Sequence, residues 1–174
     1  EFGLSTFINH LKKFGVTSDI PSYPSIYLGA VDMSPMEVMN IYGNFATGGF
    51  KYPVKAIRSV VDANGRSLDR YSLSVQPTID PASAYALNYG LQQVMSNGTG
   101  RAAYNSLPRS LNLAGKSGTT NDSRDSWFAG YSGNYMTVVW LGLDDNKVTG
   151  LTGSSGALPV WTNVMKQLRQ KPVN

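Results

Sequence analysis

The ten residues from Leu111 to Thr120, LNLAGKSGTT, constrain the fold more than any other stretch of this 174-residue chain. Leu111 and Leu113 stand at the two-residue spacing of a β-strand, and the apolar run leads without interruption into a polar segment. The sequence therefore predicts one strand across the whole stretch, apolar in its first half and polar in its second.

The polar half of this strand offers chemistry on both of its faces. Because side chains alternate along a strand, Lys116 and Gly118 would face one way, and Ser117 and Thr119 the other. A cation, two hydroxyls and a stretch of backbone without a side chain suit an anionic ligand that forms hydrogen bonds. If the strand lies at a sheet edge, its free N–H groups could also pair with an extended peptide.

Three interpretations of this segment compete. The first is a strand that runs into a polar turn without any function. The second is a phosphate-binding loop, which needs a glycine five positions before Gly115, where the chain has Ser110. That mismatch excludes the phosphate loop. The third is a catalytic Lys-Ser-Gly element, and three residues need support from other parts of the chain.

Composition narrows the class of protein. With 41% hydrophobic and 15% charged residues, the chain is long enough for one globular domain with a real core. The absence of cysteine excludes disulfides and Cys-ligated metals, and we expect neither a metal nor a cofactor. A net charge of +4 from scattered basic residues does not indicate nucleic acid as a partner. No apolar run approaches the roughly 18 residues of a membrane span, and we expect no signal peptide, because Glu1-Phe2-Gly3 leads directly into the first helical pattern.

Apolar residues at helical spacing predict four helices. The first spans Leu4–Phe14 and ends at Gly15. The second begins at Ser34-Pro35-Met36-Glu37, which places a capping serine, a proline at the first helical position and the glutamate of a capping box in order. The third begins after Asp80 as its cap, and the fourth spans Leu158–Leu168.

Other patterns predict strands. A hairpin is expected from Val54–Asp62 and Ser67–Tyr71, joined by a turn in which Gly65 takes a positive φ. After the Lys-Ser-Gly strand, two further strands are predicted at Asp125–Tyr131 and Tyr135–Leu143. The second of these is almost continuously apolar, so we expect it to be central in its sheet.

The order of the elements indicates a fold class. The later chain runs helix, strand, strand, strand, helix, which favours an antiparallel meander, and the earlier helices would cover one of its faces. We therefore expect an α+β fold, an antiparallel sheet with helices packed on it. Residues 1–170 would form the domain and residues 171–174 a linker or tail.

Four segments with distinctive sequences support the catalytic interpretation. They are SPMEVMNIYGNFATGG at Ser34–Gly49, NGTGR at Asn97–Arg101, LAGKSGTTND at Leu113–Asp122 and DSWFAGY at Asp125–Tyr131. In this order and spacing they resemble the transpeptidase domain of the class A, bifunctional penicillin-binding proteins. The resemblance runs over nearly the whole chain. It implies that the chain is part of a penicillin-binding and serine β-lactamase-like transpeptidase fold.

The same resemblance identifies what the chain lacks. The family works with three elements, Ser-x-x-Lys, Ser-x-Asn and Lys-Thr/Ser-Gly, and only the third is present in its usual place. None of the eight lysines has a serine three residues before it, so the nucleophile motif is absent. Ser132-Gly133-Asn134 matches Ser-x-Asn by its letters, but it follows the Lys-Ser-Gly strand and is predicted to be a hairpin turn. The family order would place both missing elements before residue 1, so we expect a C-terminal portion of the domain.

The resemblance implies roles for the polar half of the strand. Lys116 would supply positive potential and support the hydrogen-bond network of the site. Ser117 and Thr119 would bind the substrate's terminal carboxylate, and the backbone N–H of Thr119 would be one oxyanion-hole donor. Gly118 would keep the backbone open to the ligand, because a Cβ there would crowd it. Thr120 would complete the substrate-binding set.

The resemblance also implies an activity and partners. In the family, a serine attacks the D-Ala-D-Ala bond of a peptidoglycan stem peptide, and an amine of a neighbouring stem peptide resolves the acyl-enzyme into a cross-link. β-Lactams acylate the same serine. The implied partners are stem peptides, β-lactams and the N-terminal remainder of the domain, at the periplasmic face of the inner membrane with the anchor outside this chain. The alternative is a non-catalytic peptidoglycan- or protein-binding domain derived from the fold, which the missing nucleophile favours.

Overall fold

The structure, a computed structural model, describes residues 3–52, 54–57, 59–72 and 74–173. Its α-helices within those ranges are α1 (Leu4–Phe14), α2 (Pro35–Ala46), α3 (Pro81–Ser96) and α4 (Leu158–Lys166). Its strands there are β1 (Phe50–Lys51), β2 (Ser59–Val61), β3 (Ser67–Arg70), β4 (Gln76–Pro77), β5 (Ala114–Thr119), β6 (Ser126–Tyr131) and β7 (Met136–Leu141). All strand pairs are antiparallel, so the predicted α+β class is confirmed.

The largest sheet carries the Lys-Ser-Gly strand. Its order is β5-β6-β7, with Thr119 of β5 opposite Ser126 of β6. Helix α4 packs on one face of the sheet, where the rings of Phe128 and Trp161 lie 5.1 Å apart, and α2 packs on the other. The buried core around α4 contains Met95, Ala103, Leu107, Leu113, Phe128, Val139, Ala157, Leu158, Trp161 and Met165.

Strand β7 lies at an edge of the described sheet, so within the described residues the prediction of a central position is wrong. The central strand is β6. The apolar sequence of β7 has another cause, because α2 packs against one of its faces and α4 against the other. A strand that is covered on both faces is nearly continuously apolar wherever it lies in the sheet.

The Lys-Ser-Gly strand begins later than the sequence predicts. Leu111 is the last residue of a short 3-10 turn, and Asn112 has a left-handed backbone with φ of 47°. The strand therefore starts at Ala114 and not at Leu111. The spacing of Leu111 and Leu113 comes from a turn that buries Leu113 completely, so a two-residue period was not evidence of a strand there.

The β2–β3 hairpin has the predicted turn but a shorter first strand. Gly65 has a φ of +79°, and Asp62 Oδ1 accepts hydrogen bonds from the N–H groups of Asn64 and Arg66 at 2.9 and 2.8 Å. The described residues from Val54 to 57 are not a strand, and position 58 lies outside the described residues. Every residue of β2 and β3 is exposed, so no packed layer extends the pairing.

The four predicted helices are present, and their ends follow the predicted capping residues. Helix α1 ends at Gly15, whose φ is +112°. Asp80 caps α3 by accepting the N–H of Ser83 at 3.0 Å. Ser34 and Glu37 form the capping box of α2. None of the described helices is long and apolar enough to span a bilayer.

Glu37 also joins α2 to the segment that follows α1. Its carboxylate accepts N–H and hydroxyl hydrogen bonds from Thr17, Ser18 and Ser34 at 2.7 to 3.0 Å. Hydrogen bonds from the backbone N–H of Ser34, and then from those of Ser18 and Thr17, hold the pKa of this carboxyl well below its ordinary value. They do so against burial, which raises the pKa, since the side chain is almost fully enclosed.

The predicted tail packs against the domain in its described part. Val173 is buried beside Leu91, Ala114 and Tyr131. Its N–H donates to the carbonyl of Leu111 at 3.0 Å. These are the contacts of a domain segment rather than of a free linker. The division at residue 170 stays a prediction, and Asn174 lies outside the described residues.

Candidate active site

Strand β5 separates its charged side chain from its hydroxyls, as the alternation predicts. Lys116 and Gly118 pair with Ala129 and Trp127 and lie on the face toward α2. Ser117 lies on the other face, toward the glycine- and serine-rich segment that precedes α4. This segment forms a π-helical turn at Gly153–Ala157.

A pocket of about 420 Å³ lies on the Lys116 face. It is bounded by the sheet, by α2 and by the segment before α2. Its lining residues are Gly29, Val31, Asp32, Met33, Val38, Ile41, Tyr42, Lys116, Ser117, Gly118, Thr120, Asp125, Trp127, Ala129 and Trp140. The pocket is therefore mainly apolar, with the ammonium of Lys116 and the carboxylates of Asp32 and Asp125 in its wall. Lys116 Nζ donates to the Ser117 carbonyl at 2.8 Å.

The two hydroxyls of β5 are each held by a group from a distant part of the chain. Ser117 Oγ lies 2.7 Å from Thr99 Oγ1, in the turn after α3. Thr119 Oγ1 accepts the N–H of Gly153 at 3.0 Å. A Cβ at Gly153 would lie 2.8 Å or less from the carbonyl oxygens of Gly118 and Trp127. The turn before α4 therefore packs directly on the back of the Lys-Ser-Gly strand.

The backbone N–H of Thr119 points away from β6. The N–H of the next residue, Thr120, donates across the hairpin to the carbonyl of Asp125 at 3.2 Å. Because backbone groups alternate in direction along a strand, the Thr119 N–H points toward the opposite edge of β5. Within the described sheet β5 has β6 as its single strand neighbour, so that edge is the outer one. The role of this N–H as an oxyanion-hole donor stays a prediction.

Packing against the neighbouring strand favours glycine at position 118, which the sequence did not reveal. A Cβ at this position would lie 3.1 Å from the Cβ of Trp127 on the neighbouring strand. The interpretation that a side chain would crowd only the ligand is therefore incomplete. The close approach of two strand residues in the pocket wall already favours glycine here.

Thr120 closes the β5–β6 connection. Its hydroxyl donates to Asp125 Oδ2 at 3.2 Å and accepts the Asp125 N–H at 2.8 Å. Trp140 Nε1 donates to Asp125 Oδ1 at 2.9 Å, which extends this network to β7. Thr120 reaches the pocket, but its hydroxyl is engaged by the hairpin. Its substrate-binding role stays a prediction.

Ser132-Gly133-Asn134 forms the connection between β6 and β7, as predicted. The Ser132 N–H donates to the carbonyl of Tyr135 at 2.9 Å, which closes the turn. The preceding residue, Tyr131, pairs with Ala114 at the far end of β5 from Thr119. This Ser-x-Asn match is thus a turn at the other end of the sheet.

The sequence did not identify two residues that hold the β5 hydroxyls, Thr99 and Gly153. Thr99 lies within the NGTGR segment, which the sequence analysis used only as part of the family resemblance. Gly153 lies between the last predicted strand and the last predicted helix, in a segment to which the sequence analysis assigned no role. Asp125 was visible only as the start of a strand. Within the described residues, no group of three or more His, Asp or Glu side chains could hold a metal ion.

Comparisons with known proteins identify the family of this chain. The family model of the penicillin-binding protein transpeptidase domain matches residues 2–166. Penicillin-binding protein 1B of Vibrio cholerae is 41% identical over 167 residues, which are 95% of this chain and 21% of that protein. The same protein of Escherichia coli is 36% identical over 93% of this chain and 19% of its own length. The chain therefore spans about a fifth of these relatives.

The crystal structure of penicillin-binding protein 1A from Haemophilus influenzae matches with a TM-score of 0.89 and 25% identity, over 99% of this chain and 32% of that one. Penicillin-binding protein A from M. tuberculosis, solved as its ceftriaxone acyl-enzyme complex, matches with a TM-score of 0.75 and 18% identity, over 95% of this chain and 43% of that one. The second likeness shows the shared fold. By its sequence, its architecture and its Lys-Ser-Gly strand, this chain belongs to the penicillin-binding protein transpeptidase domain family.

Proposed function

We propose that this chain forms one wall of the active site of a peptidoglycan D,D-transpeptidase, which cross-links stem peptides through a serine acyl-enzyme. The observation that carries the proposal is the arrangement of β5, whose Thr119 N–H points to the outer edge and whose Ser117 and Thr119 hydroxyls lie on one face of the strand. The chain supplies this Lys-Ser-Gly wall, and the nucleophilic serine comes from a part of the protein outside residues 1–174.

The two hydroxyls are suited to hold a terminal carboxylate. An ionised carboxylate only accepts hydrogen bonds, and a hydroxyl has one hydrogen to donate. A substrate held by its carboxylate at Ser117 and Thr119 places the preceding peptide carbonyl near the outward N–H of Thr119. That N–H then stabilises the oxyanion of the tetrahedral intermediate. A donor of this kind contributes about 2.7–4 kcal/mol to transition-state stabilisation.

Lys116 acts from the opposite face of the strand, in the wall of the pocket beside α2. The segment that carries Ser-x-x-Lys approaches from this side, so that its serine meets a carbonyl held at the strand edge. A fixed positive charge there stabilises the negative charge that develops as the serine attacks. The apolar side chains of Val38, Ile41 and Trp127 in the same wall suit a packed protein segment.

The proposed ligands and location follow from the family. Stem peptides ending in D-Ala-D-Ala are the substrates, and β-lactams acylate the same serine. The partner within the molecule is the remainder of the domain, with Ser-x-x-Lys and Ser-x-Asn. The proposed location is the periplasmic face of the inner membrane, with the anchor outside this chain.

Substitution of Lys116 tests the proposal. In the intact protein, Lys116→Ala is expected to lower penicillin acylation at least a hundredfold, the scale set by the loss of one electrostatic stabiliser, about 10²–10³-fold. Intact mass measures the acyl adduct. Lys147→Ala is the matched control, because Lys147 is an exposed lysine that pairs with Asp145 in the turn after β7. Near-normal acylation of Lys116→Ala, with a normal thermal midpoint, contradicts the proposed role.

The location of the nucleophile has a separate test. Residues 1–174 alone, incubated with penicillin, are expected to gain no adduct, whereas the intact protein gains one. An adduct on the isolated chain shows that the nucleophile lies within it. If the intact protein gains no adduct, the alternative of a non-catalytic binding domain replaces the enzyme.

A further inference from the structure

We infer that Thr99 is a positioning residue that turns the Ser117 hydroxyl into a hydrogen-bond donor for the carboxylate of the ligand. The inference rests on the proposed function, because it concerns how the carboxylate site is built. Its basis is the contact of 2.7 Å between Thr99 Oγ1 and Ser117 Oγ. The two residues are 18 positions apart, and the contact joins two side chains rather than backbone groups of a helix or sheet.

Thr99 is held in a turn with little freedom to move. The N–H groups of Gly98 and Gly100, on either side of it, both donate to the carbonyl of Val94, at 3.1 and 3.0 Å. A Cβ at Gly98 would lie 2.9 Å from that carbonyl oxygen, and one at Gly100 would lie 2.5 Å from the sulfur of Met95. The two glycines thus let the turn close tightly against the end of α3. The hydroxyl of Thr99 projects from this turn to Ser117.

The direction of the hydrogen bond decides what Ser117 can do. If Ser117 donates to Thr99, its single hydrogen is used and none is left for a ligand. If Thr99 donates to Ser117, the hydrogen of Ser117 is free. A carboxylate has no hydrogen to offer, so its binding selects the second arrangement. Thr99 therefore fixes the oxygen of Ser117 while the hydrogen of Ser117 turns to the ligand.

The hydroxyl of Thr119 also accepts a hydrogen bond from another part of the chain, and here the direction of the bond is fixed. The N–H of Gly153 can only donate, so Thr119 must accept it and keeps its own hydrogen available. Ser117 and Thr119 lie on the same face of β5 because they are two residues apart. The strand thus presents two hydroxyls that each receive a hydrogen bond from behind. Thr99 does for Ser117 what the backbone of Gly153 does for Thr119.

The experiment measures the second-order rate constant for acylation of the intact protein by benzylpenicillin and by its methyl ester, which lacks the carboxylate. Thr99→Val keeps the shape of the side chain and removes the hydroxyl. It is expected to slow acylation by benzylpenicillin by up to about tenfold, the upper scale of one hydrogen bond between neutral groups, and to leave acylation by the ester unchanged. Thr99→Ser restores the hydroxyl and is expected to react like wild type.

Thr137→Val is the matched control, because Thr137 is a β7 residue whose hydroxyl contacts the sulfur of Met165 at 3.5 Å and takes no part in the site. If Thr99 has only a structural role, Thr99→Val slows acylation by both compounds equally, and that result overturns the inference. Unchanged rates for Thr99→Val overturn it as well. Ser117→Ala distinguishes the proposed carboxylate site from the role of Thr99. If Ser117→Ala removes the faster acylation by benzylpenicillin than by its ester and Thr99→Val does not, only the inference about Thr99 fails. If the wild-type protein has no such preference, the carboxylate site of the proposed function fails with it.

Discussion

The β5–β6–β7 sheet and the β2–β3 hairpin are both antiparallel, yet they differ in everything that packing controls. The β5–β6 pair keeps one register over six consecutive residue pairs. The hairpin shifts register between Val60 and Val61 after two pairs. The sheet lies between helices, whereas all seven hairpin residues are exposed. A turn is enough to form a short hairpin, but burial of a face is what specifies the register strongly along the strands.

The side chains of the two regions show the same difference. Phe128 and Trp161 are fully enclosed, with their rings 5.1 Å apart. Val61 and Leu68 of the hairpin are 56% and 65% exposed. Amide hydrogen exchange on the intact protein can compare the regions directly, because it reports the free energy of local opening for each segment.

The largest expected effect is in the sheet. Phe128→Ala removes a fully buried ring and is expected to lower the opening free energy of β5–β7 by about 3–5 kcal/mol. Hydrogen exchange of peptides from 114–141 measures it, with peptides from 59–70 as the internal reference. An equal change in both regions would show that they open as one unit, which contradicts the comparison.

A smaller effect is expected between the helices. Glu37→Gln weakens the hydrogen bonds that a charged acceptor receives and is expected to cost about 2 kcal/mol, within the range for bonds to charged groups. Because the pKa of Glu37 is lowered in the folded state, its contribution is present above the ordinary glutamate value of about 4.3 and is lost as pH falls further.

The thermal midpoint as a function of pH checks this second prediction. Wild-type protein is expected to lose stability below about pH 5, and Glu37→Gln is expected to lose less over the same interval, because the titrating group is gone. Asp69→Asn, on the exposed hairpin, is the control. A wild-type midpoint that falls no more steeply than that of Glu37→Gln refutes the role given to the carboxylate.

The next effect concerns the last described residues. Val173→Ala removes two carbons from a buried side chain and is expected to cost about 1.5 kcal/mol, at about 0.8 kcal/mol for each. Exchange of the amides near Ala114 and Tyr131 measures the loss, since Val173 packs against both. If their exchange is unchanged, this segment behaves as the linker that the sequence predicted.

The smallest effect is expected in the hairpin. Val61→Thr keeps the β-branched shape at a position that is more than half exposed, so the opening free energy is expected to change by less than about 0.5 kcal/mol. A loss close to that of Phe128→Ala would mean that another surface of the intact protein covers the hairpin. The comparison of the two regions would then apply only to the described chain.

The predictions that held were those with a local cause. The capping box of Ser34 and Glu37 and the positive φ of Gly65 depend on residues within a few positions of one another, and the sequence contains them all. The two faces of β5 follow from alternation alone. These features need no knowledge of what packs where.

The predictions that failed depend on distant parts of the chain. The start of β5 is delayed because Asn112 adopts a left-handed backbone, which a pair of spaced leucines conceals. The apolar sequence of β7 reflects two helices, one of them about 90 residues earlier, that cover its two faces, so it does not indicate where β7 lies in the sheet. The partners of the site hydroxyls are 18 and 34 residues away, so no local pattern indicates them.

The alternation of side chains on β5 also limits the shape of a ligand. Lys116 and Thr119 are three residues apart, a distance of about 10 Å in an extended strand. Because their side chains lie on opposite faces, a molecule that meets both must follow the outer edge of the strand instead of resting on either face. Three residues of extended peptide have this length and thickness. A ligand that contacts both residues therefore needs one extended stretch of about this length along the strand edge, whatever groups it carries elsewhere.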